Sequence, residues 1–135
     1  MAGKKMSPTG ARRTGELEDL NIQVQRVNAM VEQYAVTKTN PETLAQPIKR
    51  QFQTLRMNFM GAGLDAVAQI CGAMEIAAGR GGNQQTKVRI MRDAVASIKF
   101  QLELEQRSII AEEDKLAHEK EEAKEAAKAA QKNPT

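Results

Sequence analysis

The chain has 135 residues, no Trp, one Tyr, three Phe, one Cys, one His and a formal net charge of +3. That length gives a single domain able to bury a real core. The inventory excludes an internal disulfide, a His/Cys zinc cluster and a di-iron bundle site, and the mild net charge excludes a strongly basic nucleic-acid binder. Ala, Gln, Glu, Lys and Met abound, and these are strong helix formers; the four prolines fall at or near expected element boundaries. The expectation is an all-α protein.

Residues 1–13 (MAGKKMSPTGARR) are small, polar and basic, with no periodicity. They read as a disordered basic arm, and they contain no apolar stretch of the kind a secretory signal carries. Lys4, Lys5, Arg12 and Arg13 are candidate contacts for an anionic partner.

The first helix is expected over 16–38. Leu17, Leu20, Val24, Val27, Val31 and Tyr34 step by three and four, an apolar seam on one helical face. Thr14 is the expected N-cap, with Glu16, Glu18 and Asp19 in the first turn. Ile22, Met30 and Val36 lie off the seam and widen the apolar face.

Asn40 as N-cap with Pro41 at the first helical position signals a new helix start. Pro47 should interrupt it, which predicts a short turn over 41–46 and then a long second helix over Pro47–Ala78. A single kinked helix is the alternative. Ile48, Phe52, Leu55 and Phe59 form its first apolar face. From Met60 onward the sequence is apolar or small nearly all round. The interior glycines require a packing reason, because each costs about 1 kcal/mol relative to Ala. Either a second backbone comes close or the helix bends at Gly61–Gly63.

Gly79-Arg80-Gly81-Gly82-Asn83 is the clearest break, a helix–helix turn with Asn83 as the next N-cap. The third helix then runs without Pro or Gly to about Lys132. Val88, Met91, Val95, Ile98 and Leu102 make its seam, which turns polar beyond about Leu104–Ile110. The remainder is a charged helix former supported by pairs such as Glu121–Lys124.

The fold expected is therefore an antiparallel three-helix bundle over 14–110, with or without a short fourth helix at about 41–46. A long C-terminal helix overhangs it, and 111–135 form a charged extension or tail. Three helices leave the second half of helix two poorly enclosed. Met60, Gly61, Gly63, Leu64, Val67, Ala68, Cys71 and Gly72 are for that reason the candidate partner-binding residues, completed by a homo-oligomer or a larger assembly.

Catalytic chemistry has little support. His118 lies on the charged tail, and Ser7, Ser97 and Ser108 have no nucleophile-elbow context. Asp65 and Glu75 are ten residues apart, roughly 15 Å along one helix and too far for paired acid–base work. Cys71 reads as a buried small hydrophobe. No catalytic residue, metal site or cofactor is expected. The function expected is a non-enzymatic structural or adaptor subunit of the cytoplasm, with peripheral membrane contact left open. The second reading is a small nucleic-acid-associated protein. It would touch phosphates through the arm and through Arg80, Arg89 and Arg92, without the aromatic residues that stack bases.

Overall fold

The computed structural model describes residues 6–132, and side chains through residue 130. Four helices follow one another: α1 (Pro8–Val36), α2 (Glu42–Gly61), α3 (Asp65–Gly79) and α4 (Gln84–Lys132), with no strand among the described residues. The all-α expectation holds. The helix count changes from three to four because the predicted second helix is two.

The reversal is local. At the end of α2, Gly63 takes a left-handed backbone, φ 79°. Its N–H donates to the Met60 carbonyl at 3.0 Å, and the Leu64 N–H reaches the Phe59 carbonyl at 2.8 Å. This is the paired 6→1 and 5→2 bonding of a Schellman cap, with Gly where the left-handed residue must sit. Leu64 packs on the core next to it, the apolar contact that accompanies such a cap.

α2 also begins earlier than expected and runs through Pro47 without a break. Pro47 removes the donor that would have met the Thr43 carbonyl. Ala45 and Ile48, buried on either side of it, hold both flanks to the core. The Asn40 side chain is not the cap; Asn40 stands at φ 50°, and its carbonyl accepts from the Thr43 N–H and hydroxyl.

α1 likewise starts earlier. Ser7, not Thr14, is the N-cap: its Oγ accepts from the Gly10 N–H at 3.1 Å, and Pro8 fills the first turn. Residues 8–13 of the expected arm are therefore helical, while Lys4 and Lys5 lie outside the described residues. Asn83 caps α4 as expected, its Oδ1 accepting from the Gln85 N–H at 2.8 Å.

Neighbouring helices are antiparallel. α1 packs on α2 and α4, and α3 packs on α2 and α4. Falling residue numbers across the contacts fix the directions: Gln23 meets Asn58 and Arg13 meets Ala62 between α1 and α2, while Glu32 meets Arg92 and Arg13 meets Glu105 between α1 and α4. The result is an up-down-up-down four-helix bundle. Its core is the set of seams read from sequence: Leu17 to Tyr34 on α1, Ile48 to Phe59 on α2, Val88 to Leu102 on α4. α3 adds Val67, Ala68, Cys71, Met74 and Ala78 as the fourth wall. Ile22 and Val36, expected to widen the α1 face, are exposed instead.

The bundle tapers. Arg13 closes the four-helix section, donating to the Ala62 carbonyl at 2.8 Å and to Glu105 at 2.7 Å. Beyond it only α1 and α4 continue as a pair, burying Gly10 and Ile109. The pair ends where Ser7 meets Glu113. Past Glu113, α4 runs on for about 19 residues, roughly 28 Å, its first turn there flanked by Met6 and Pro8.

Candidate interaction surface

The eight residues expected to bind a partner do not share a surface. Val67, Ala68 and Cys71 point into the bundle and are buried. Leu64 and Gly72 are half-buried, and only Met60, Gly61 and Gly63 are exposed, at the α2–α3 turn. The correction has one physical cause: the segment taken as unenclosed folds back and encloses itself.

The glycines of α3 have a packing role, though not the one expected. Gly72 and Gly79 are seven residues apart, as are Arg56 and Lys49 on the antiparallel α2. A Cβ at Gly72 would lie 3.2 Å from the Arg56 Cδ, and one at Gly79 would lie 3.3 Å from the Lys49 Nζ. The missing side chains leave room for two basic stems rather than for a backbone. Arg56 ends in an ion pair with the half-buried Glu75. Glu75 is thus held by an arginine at the helix periphery.

Cys71 is fully buried next to this pair. Burial pushes its thiol up to about 12, with the Glu75 charge adding to the effect and Arg56 opposing it. A thiol so placed is inert. We expect no labelling of the native chain by a thiol reagent at neutral pH and one equivalent in denaturant. Prompt labelling of the folded protein would contradict the sealed core.

The candidate anion contacts are also separated. Arg12 sits in an exposed i,i+4 pair with Glu16 at 3.6 Å, and Arg13 is taken up by Ala62 and Glu105. Arg92 grips Glu32 with both Nε and an amino nitrogen, at 2.7 and 2.6 Å, which holds the Glu32 carboxyl below its ordinary range. Arg80 and Arg89 are exposed, at the opposite end of the bundle from Arg12 and Arg13. No continuous phosphate-tracking stripe joins them.

The exposed apolar groups that remain are concentrated on α4. Phe100, Leu104, Ile110 and Leu116 are all exposed, with Phe100 at 55%. Elsewhere Met57 and Met60 make a smaller exposed pair on α2, while Ile22 and Val36 on α1 and Ile76 on α3 stand singly. Where α4 leaves α1, a pocket of about 450 Å³ opens, walled by Met6, Pro8, Ile110, Leu116 and Ala117, with Lys120 at its edge. Sequence reasoning missed Phe100, although its position was legible. It lies two residues from both Ile98 and Leu102, hence about 200° from the core seam.

Glu113 sits at the mouth of this pocket. It accepts from the Ser7 hydroxyl and from the Ser7 N–H at 3.0 Å. The hydroxyl bond, then the backbone bond, lowers its pKa. A depressed folded-state carboxyl stabilises the fold above its unfolded pKa and loses that contribution as pH falls through the folded value. Glu113→Gln should therefore flatten the acid limb of a melting-temperature-versus-pH curve and leave its shape near neutrality unchanged. An acid limb identical in the two proteins would show that the contact adds nothing.

Among the described residues, no group of three His, Cys, Asp or Glu side chains is placed to hold a metal ion, and no helix is long and apolar enough to cross a membrane. Compared with known proteins, the chain matches no family model, no curated protein and no solved structure.

Proposed function

We propose that this protein is a non-enzymatic structural or adaptor subunit of the cytoplasm, and that it docks on protein partners through α4. The observation that carries the reading is the long projection of α4 past Glu113, with Ile110 and Leu116 exposed around an open apolar pocket at its root. An isolated Ala/Glu/Lys helix of this length is only partly stable in water, and a partner along it would supply the missing packing. The four-helix body serves as the rigid base that aims it. The internal pairing of Arg13 and Arg92, and the separation of the other cations, weigh against the nucleic-acid reading.

The reading is tested by placing a photo-crosslinking residue at Leu116 of the full chain in its native source. Gln25, exposed on the body, serves as the control. Defined protein adducts at position 116 and none at position 25 support arm docking. Equal labelling at both positions, or none at 116, overturns it.

A further inference from the structure

We propose that the outer face of α4 pairs antiparallel with α4 of a second copy of this chain, with Phe100 on the two-fold axis. The inference deepens the docking reading and rests on it, but it uses a stretch of α4 away from the projecting arm.

Three observations converge. Phe100 is the only Phe outside the core, and its neighbour one turn on, Leu104, is exposed on the same side. Both face away from the bundle, so a partner helix meets no obstruction from α1 or α3.

The residues around Phe100 are complementary under a two-fold operation. Asp93 and Arg107 each lie seven residues from Phe100, two turns away on the same face, and both are exposed. Neither makes an ion pair with a described residue. An axis through Phe100 brings Asp93 of each copy against Arg107 of the other, twice. Ala96 and Leu104 lie four residues to either side, so each Leu104 meets the space over an exposed Ala96. A C2 contact must be self-complementary in this way.

A parallel pairing in register sets Asp93 against Asp93 and Arg107 against Arg107. The charge pattern thus selects the antiparallel arrangement. In that arrangement each α4 passes along the other, and the two charged arms project from opposite ends.

The contact is short, about 21 Å of helix on each side, and falls below the ~1,200 Å² of a standard interface. A dimer in exchange with monomer is the expected state.

Sedimentation of the full chain over a concentration series tests this. The mass should rise toward that of two chains, and Phe100→Glu should hold it at one chain throughout, with unchanged helical circular dichroism. Asp93→Arg alone and Arg107→Asp alone should each weaken the dimer about tenfold. The double swap restores opposite charges across the axis and should recover the association. A chain monomeric at every concentration, or a double swap as weak as the singles, overturns the proposal. Leu116→Glu should leave the dimer intact while removing the apolar root of the arm. A failed dimer therefore leaves the cross-linking result at Leu116 to stand or fall separately.

Discussion

Phe52→Ala is expected to lower the unfolding free energy by about 3–5 kcal/mol. The whole domain is worth only about 5–15 kcal/mol, so this single truncation would remove a large share of it. The reason is placement. Phe52 is fully buried, in the middle of the α2 seam, with Ile48, Leu55 and Phe59 buried on either side. It belongs to the one buried cluster to which all four helices contribute, and helices packed at the density of protein interiors cannot collapse around a hole without losing contacts elsewhere. Phe100→Ala is the internal comparison. It removes the same atoms from an exposed position and should change stability by no more than about 0.5 kcal/mol. Urea unfolding reads both, as a shift in midpoint at constant slope. Equal losses for the two substitutions would mean that the core is not the one described.

The seams that make Phe52 central were legible because an amphipathic helix writes its buried face into the sequence at steps of three and four. On α1, the first part of α2 and the start of α4, every seam residue named from spacing is buried. What spacing does not carry is the point where one helix becomes two. The Ala62–Leu64 reversal takes a single left-handed glycine, and the residues after it are as apolar and helix-forming as those before. The trace it leaves is a change of phase. Continuing the Phe52–Phe59 face by threes and fours would lead to Ala62, Ala66, Ile70 and Ala73. The buried residues are instead Val67 with Ala68, Cys71, Met74 and Ala78, so that from Ala66 onward the face stands one position later.

The same limit explains the N-terminus. Ser7-Pro8 is a good helix start, but its anchor is Glu113, 106 residues away in sequence. No local pattern shows that contact. The site followed from the fold. Counting three helices made Met60–Ala78 look uncovered, but most of it is itself the extra helix, α3, which folds back onto α2 and α4. The unpartnered apolar surface then belongs to α4, where Phe100 and Leu104 break an otherwise polar outer face.

Lys87→Met is expected to stabilise the protein, by about 1–3 kcal/mol, against the usual direction of core substitutions. Lys87 is 6% exposed, and its Nζ is fully covered without a hydrogen-bond partner among the described residues. An ammonium in that position has given up its hydration with nothing in return. Methionine keeps an unbranched stem of similar length and discards the charge, so the packing survives while the desolvation cost disappears. Tyr34 presents a smaller version of the same case. Its hydroxyl is buried and unpartnered among the described residues, and burial, then the Glu42 charge, raises its pKa. Tyr34→Phe should accordingly be neutral or slightly stabilising. The Gln84 amide holds this end of the bundle independently of both, donating to the Tyr34 and Thr37 carbonyls at 2.6 and 2.9 Å. Neither substitution should therefore unfasten α4 from α1. The urea midpoint decides the matter. A midpoint that falls for Lys87→Met would mean that the ammonium has a partner in solution, such as a trapped water or a group from another chain.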